Sequence, residues 1–177
     1  MAAAPSMVGV LFVCLGNICR SPTGEAVFRH YVEARQLGHL IHIDSAGTLG
    51  SHAGVHPDSR MRAAAAERGY RLESVARQVT ASDLRDFSLV VAMDHENYRD
   101  LVHLKKTEPT NIRMLGSFLA GFESQMQAPA VPDPYYGGAD GFERVLDIIE
   151  DACPKILARL VATHESLRGV DCHGGGA

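Results

Sequence analysis

Five residues separate Cys14 from Arg20, and Ser21-Pro22 follows at once. A thiolate is a strong nucleophile, and guanidinium presents a rigid fork of donors that fits two oxygens of a phosphate. Gly16 and Asn17, inside the intervening loop, suit positive φ angles that turn successive N–H groups inward as an anion-binding nest. Ser21 is placed either to cap a following helix or to hydrogen-bond the sulfur. The chemistry these residue types add up to is nucleophilic attack on a phosphoryl group held in a cradle. Neither a lysine nor a Gly-Lys-Ser/Thr run occurs in the loop, which disfavours a nucleotide-binding P-loop. Taken alone, Cys-x5-Arg is a common spacing, and a cysteine after a strand more often only fills a core. The surroundings decide between the two.

Those surroundings start with Val8 to Val13, an apolar, β-branched run that reads as a buried strand and ends at Cys14. Pro22 fits the first turn of a helix, and Ala26, Val27, Phe28, Tyr31 and Val32 give its apolar stripe as far as Gly38. The loop therefore lies between a strand's carboxyl end and a helix's amino end, where N–H groups are free and the helix dipole is positive. Leu40 to Ala46 reads as a second strand, parallel to the first. A helix from Pro57-Asp58-Ser59 to Gly69 follows a Gly-rich loop, and Ala76 to Val79 reads as short and extended. Thr80-x-x-Asp83 has the pattern of a capping box, Phe87 to Met93 is a third strand, and Asp94 caps a helix through Leu104. Asn111 to Leu115 is a fourth strand. Ala139 opens a long last helix striped by Phe142, Val145, Leu146, Ile149, Ile156, Leu157 and Leu160, with Pro154 expected to kink or break it. Strands alternating with helices imply an α/β fold with a parallel sheet covered on both faces, binding its ligand beyond the strands' carboxyl ends.

Cleaving a phosphate monoester also needs a general acid, because the leaving oxygen otherwise departs as a costly anion; the acid is typically worth ~10²–10⁴-fold. Asp133 is the candidate. Pro132 and Pro134 stiffen its backbone, and Tyr135 and Tyr136 stand beside it to desolvate it. Locally Asp-Pro before Gly-Gly is also an everyday turn; the Cys14–Arg20 loop is what favours the acid.

Composition narrows the rest. With 177 residues, 46% hydrophobic and 21% charged, the chain can build one ordinary globular core. We expect one domain over residues 7–163, with tails at 1–6 and 169–177. A formal charge of −4 offers no nucleic-acid footprint, Lys105-Lys106 is too short for a basic patch, and no run suggests a membrane span. The four cysteines are Cys14, Cys19, Cys153 and Cys172, which make no secreted disulfide framework; a catalytic thiol points to the reducing cytoplasm. His52 and His56 have i,i+4 spacing, but Gly54 and Pro57 put them in a loop, as surface residues rather than metal ligands.

The stretch Cys14-Leu15-Gly16-Asn17-Ile18-Cys19-Arg20-Ser21 resembles the Cys-x4-Cys-Arg-Ser signature of the low-molecular-weight protein tyrosine phosphatase family. The resemblance continues, in family order, at Asp44-Ser45-Ala46-Gly47, Ala76-Arg77-Gln78, Met93-Asp94 and Asp133-Pro134-Tyr135-Tyr136-Gly137. It implies a flavodoxin-like, four-stranded parallel sheet in the order 2-1-3-4. It also implies hydrolysis of phosphotyrosine monoesters through a cysteinyl-phosphate, without cofactor or metal. Cys14 is then the nucleophile and Arg20 the phosphate clamp, with Asp133 as acid and afterwards base. Leu15, Gly16, Asn17, Ile18, Cys19 and Ser21 complete the phosphate loop, Ser45 holds Asn17, and Tyr135 lines the cleft with Tyr136 as a weaker contributor. The implied partners are a phosphotyrosine protein or peptide and a tyrosine kinase. Under peroxide, Cys19 can pair with Cys14 and shield it from over-oxidation.

Two positions depart from the family's pattern. Ser74 stands where many members have a histidine supporting the loop asparagine, which puts loop rigidity in question. Ser51 replaces an aromatic residue at the cleft rim. Three rival functions fit parts of the pattern. Related arsenate reductases use further cysteines as a relay, and none lies between Cys19 and Cys153. Protein-arginine phosphatases of this fold tend to have threonine where Ile18 stands. A phosphotyrosine-binding module would lack the nucleophile or the acid.

Overall fold

The structure is a computed structural model and describes residues 7–106, 110–119 and 124–168. In chain order its elements are β1 (Val8–Cys14), α1 (Arg20–Ala34), β2 (Ile41–Gly47), α2 (Ser59–Glu67), α3 (Asp83–Asp86), β3 (Leu89–Ala92), α4 (His95–Lys105), β4 (Ile112–Met114), α5 (Ala139–Thr163) and α6 (Glu165–Arg168), with a 3-10 turn over Leu115–Phe118. The expected tails at 1–6 and 169–177 lie outside the described residues.

The sheet is parallel throughout and ordered β2-β1-β3-β4. Every residue of β1 is buried. Its side chains alternate, as a strand's must. Val8, Val10, Phe12 and Cys14 enter the core shared with α1, α2 and α5, whereas Leu11 and Val13 enter the core beneath α3 and α4. A strand covered on both faces has no solvent side, which is why its sequence is an unbroken apolar run. Phe12 and Phe28 pack with ring centroids 5.6 Å apart and bind α1 to β1. Full burial of each such side chain is worth roughly 1.5–3 kcal/mol.

This strand order fixes where the chemistry sits. The chain leaves β1 for one face of the sheet and leaves β3 for the other, so the β1–α1 and β3–α4 loops part and open a crevice at the strands' carboxyl ends. The N–H of Val131 donates to the Met93 carbonyl at 2.8 Å and carries the Asp133 segment past that crevice. Beyond β2, Gly47 exchanges 2.8 Å hydrogen bonds with Arg77 and Val79, so the extended run at Ala76–Val79 continues the sheet's edge.

Several boundaries differ from the sequence expectation. Helix α1 starts at Arg20, two residues before Pro22, and stops at Ala34 rather than near Gly38. Gln36 adopts the left-handed conformation at φ 56. The N–H groups of Gln36 and Leu37 return to Glu33 and Val32 at 2.9 and 3.0 Å, a Schellman closure made without glycine. The strands are shorter or shifted by a residue or two, because pairing ends before the apolar runs do. Helix α5 runs without a break through Pro154; its buried stripe from Phe142 to Leu160 outweighs one missing backbone bond. The capping box is reciprocal: Thr80 N–H donates to Asp83 at 2.7 Å and Asp83 N–H to the Thr80 hydroxyl at 3.3 Å.

Candidate active site

Cys14 is the last residue of β1, Arg20 the first of α1, and both are buried. The loop's carbonyls are drawn outward. Those of Cys14 and Leu15 accept from Thr48 and Leu49 at 2.9 Å, and that of Ile18 accepts from the Asp58 N–H at 2.8 Å. That of Cys19 accepts from the Thr23 hydroxyl at 2.7 Å. With the carbonyls held outside, the N–H groups of Leu15 to Cys19 have no protein acceptor among the described residues. Five donors around a sulfur at a helix's amino end form an anion cradle.

Asn17 is the knot that holds this shape. It is 1% exposed and takes a left-handed φ of 56. Its amide donates to Ser21 Oγ at 2.8 Å and to Ser45 Oγ at 3.0 Å, and its Oδ1 accepts the Arg77 N–H at 3.0 Å. Because Ser21 Oγ receives a proton from Asn17, its own proton is free for Cys14 Sγ, 3.0 Å away, or for the Ala46 carbonyl at 3.2 Å. Ser21 is thus the sulfur's partner and not the helix cap; Cys19 occupies the cap position. Ser45 in turn gives its proton to Glu25 at 2.6 Å. Ser74 lines a separate hollow of about 450 Å³ behind α1, whose walls include the ion pairs Arg29–Glu25 and Arg71–Glu73. The loop asparagine therefore has its full set of partners without a histidine at that position.

Gly16 does not have the positive φ expected of it. A Cβ there would come within 2.9 Å of the His52 ring, so any larger residue has to push that ring aside. Gly47 backs the loop in the same way, since its Cβ would meet the Leu15 carbonyl at 2.7 Å.

The side chain of Arg20 is 3% exposed, and three of its five N–H donors are paired. Nη1 donates to Asp94 at 2.5 Å and to the Val131 carbonyl at 3.2 Å, and Nη2 donates to Asp133 at 3.2 Å. Burial is the largest influence on it and works against the charge, but Cys14, Asp94 and Asp133 outweigh it and raise its pKa above the ordinary arginine value. Asp133 differs from expectation. Its side chain is 41% exposed, so the two tyrosines do not desolvate it. Its other oxygen accepts the Tyr135 N–H at 3.1 Å.

Cys14, Leu15, Gly16, Ile18, Cys19, Arg20 and Asp133 open onto a cleft of about 100 Å³ whose rim is Leu49, Ser51, His52, Tyr135 and Tyr136. The predicted loop residues and acid thus converge, with Asn17, Ser21 and Ser45 behind them. Tyr135 forms a wall with His52, their ring centroids 6.5 Å apart. Tyr136 packs edge-on against Tyr135 and is 93% exposed. Serine at position 51 leaves the aromatic surface to His52 and Tyr135. Cys19 is buried and its thiol is pushed up from 9.0 to about 12, first by burial and then by Asp58, Cys14 and Asp133, so it is protonated at neutral pH. Cys14, Cys19 and Cys153 are free thiols. Among the described residues no cluster of His, Cys, Asp or Glu has the makings of a metal site.

Four residues of this site carry no site role in the sequence reading. Asp94 does cap α4, accepting the Asn97 N–H at 2.8 Å, but it also orients Arg20. An acidic residue directly after β3 in a sheet of this order lies on the crevice, and that signal was available. His52, expected as a surface loop residue rather than a metal ligand, walls the cleft. Glu25 and Arg60 carry no sequence signal beyond helix placement.

The comparisons with known proteins agree with this geometry. Residues 9–166 match the family model described as low molecular weight phosphotyrosine protein phosphatase. This chain belongs to that family. It is 46% identical to a low molecular weight protein-tyrosine-phosphatase of Streptomyces coelicolor over 165 residues, covering 90% of this chain and 96% of that protein. A protein tyrosine phosphatase from Entamoeba histolytica, solved with Hepes in its active site, superposes with a TM-score of 0.81 at 41% identity, covering 88% of this chain and 97% of that one. The structure titled as a Drosophila arginine phosphatase gives 0.75 at 32% identity, covering 85% and 96%.

Proposed function

We propose that this chain hydrolyses phosphotyrosine monoesters in proteins by a two-step route through a phosphorylated Cys14. The observation that carries the reading is the convergence of Cys14, Arg20 and Asp133 on one cleft, beside a loop whose N–H groups have no protein acceptor among the described residues. In the first step the Cys14 thiolate attacks phosphorus. The S–P bond forms as the bond to the aryl oxygen breaks, and Asp133 gives its proton to the departing phenol. The loop N–H groups and Arg20 hold the three equatorial oxygens, where charge is spread in the transition state. Arg20 exchanges its contact with Asp133 for the phosphoryl group and leaves the carboxyl beside the leaving oxygen. In the second step water gives a proton to Asp133 and its oxygen bonds to phosphorus. The S–P bond breaks, the thiolate returns, held by the Ser21 hydroxyl, and phosphate departs.

The cleft's walls suit an aryl group: Ile18, His52 and Tyr135 are planar or apolar and flank the cradle. A tyrosine kinase is the source of such substrates, and the cytoplasm the compartment that keeps Cys14 reduced. Cys19 beside it supplies a partner for a protective disulfide under peroxide.

The test is turnover of p-nitrophenyl phosphate, phosphotyrosine peptide, phosphoarginine and arsenate with a chelator present. Hydrolysis of the first two, abolished by Cys14→Ser, supports the reading. Activity confined to phosphoarginine or arsenate overturns the substrate assignment, and a folded but inert protein that binds phosphotyrosine peptide overturns catalysis altogether.

A further inference from the structure

We infer that Arg60 is a positioning residue for the acid step: it holds the Asp133 segment against the nucleophile loop once Arg20 has turned to the substrate. The inference rests on Asp133 being the general acid. Asp58 and Arg60 form one rigid unit at the start of α2. Asp58 caps the helix, accepting the Arg60 N–H at 2.9 Å, and its two oxygens take Arg60 Nε at 3.1 Å and Nη2 at 2.8 Å. This bidentate pairing holds the guanidinium plane and keeps the Asp58 carboxyl below its usual range, the Arg60 side-chain bond being the chief cause.

The unit touches both halves of the site. Its Asp58 N–H donates to the Ile18 carbonyl of the phosphate loop at 2.8 Å. At its other end Arg60 Nη2 donates to the Tyr135 carbonyl at 3.1 Å, with the guanidinium carbon 5.5 Å from the Tyr135 ring centre and 5.0 Å from that of Phe142. Tyr135 then gives its own N–H to Asp133 Oδ1 at 3.1 Å. Residues 132–138 are otherwise tied to the rest of the described chain by one side-chain bond, that from Arg20 to Asp133. A phosphoryl group in the cradle competes for that bond. Arg60 is then, among the described residues, the remaining side-chain hydrogen bond from outside residues 132–138 to a segment whose acid is 41% exposed.

Arg60 touches neither the phosphoryl group nor the reacting atoms, so its loss must show where protonation matters. The experiment measures kcat/KM across aryl phosphates whose phenols span a range of pKa, for wild type, Arg60→Ala, Arg60→Lys and Asp133→Asn. Thermal midpoints and inhibition by inorganic phosphate are read beside them. Asp133→Asn is expected to steepen the dependence on leaving-group pKa. Arg60→Ala should steepen it in part, losing on the order of 10–100-fold with phenyl phosphate, within the ~10²–10⁴-fold range of an acid. The loss with the best leaving group should be under about threefold, with phosphate inhibition unchanged, since inorganic phosphate contacts only the cradle. Lysine keeps the charge but not the fork, and should restore little. An equal fall for every substrate makes Arg60 merely structural and overturns the inference. So does an unchanged slope in Arg60→Ala beside a steepened one in Asp133→Asn, which leaves the acid reading intact. An unchanged slope in Asp133→Asn removes the acid and this inference together.

Discussion

The nucleophile loop and the acid segment face each other across one cleft and are built in opposite ways. Residues 14–21 are pinned from every side: Thr48, Leu49 and Asp58 hold the carbonyls, Asn17 is tied to three neighbours, and the anchoring side chains are buried. Residues 132–138 are mostly exposed and hang from Arg20 and Arg60. The contrast follows from what each must do. The cradle has to be preorganised, because donors that reorganise during the reaction contribute less to the transition state. In the proposed mechanism Asp133 has to change partners, from Arg20 to leaving group and then to water, and an immobilised carboxyl could not serve all three.

Breaking the buried half should cost most. Cys14→Ser is expected to abolish turnover, a loss on the order of 10⁶-fold as for other deleted nucleophiles, with the thermal midpoint within a few degrees of wild type. Asp133→Ala should reduce kcat/KM by ~10²–10⁴-fold for poor leaving groups and leave stability unchanged, because the side chain is half in solvent. Asn17→Ala should do the reverse of Asp133→Ala and destabilise the fold. It strands the Arg77 N–H, removes the donor that the Ser21 and Ser45 hydroxyls accept from, and puts alanine at positive φ. A cost of about 2–4 kcal/mol, seen as a fall of roughly 5–15 °C in thermal midpoint, is expected. Cys19 gives a pH signature of the same buried half. Its thiol is held neutral up to about 12, against 9.0 for an ordinary thiol. The stability this contributes is present below pH 9 and is lost as pH rises toward 12, because the unfolded thiol ionises first. Cys19→Ala should flatten the alkaline limb of a stability–pH curve measured by urea unfolding. Smallest of all is Tyr136→Ala, where a side chain 93% exposed should move kcat/KM by less than about threefold.

The sequence carried the buried half far better than the exposed one. An apolar, β-branched run such as Val8–Val13 reads as a buried strand, and the Cys14–Arg20 spacing gained its meaning from that strand before it and the Ser21-Pro22 helix start after it. Asn17 was readable because few residues other than glycine enter left-handed backbone readily. Gly16 was misread for the complementary reason: its constraint is the His52 ring, which arrives from 36 residues away. The end of α1 was missed because Gln36, not Gly38, takes the left-handed turn. Asp133 lies at the cleft as expected but is more exposed than its two neighbouring tyrosines suggest, since exposure depends on where Tyr135 and Tyr136 point. Arg60 and Glu25 were invisible for the same reason. Both act through single hydrogen bonds to distant segments, at Tyr135 and Ser45, that no local pattern announces.

The most direct test of the two-step account is to quench wild-type protein in acid during steady turnover of an aryl phosphate and locate any protein-bound phosphoryl group by peptide mass spectrometry. The account predicts phosphate on the peptide carrying Cys14 and nowhere else, absent from Cys14→Ser. Undiminished turnover with no phosphorylated protein, or phosphate on another residue, would contradict it.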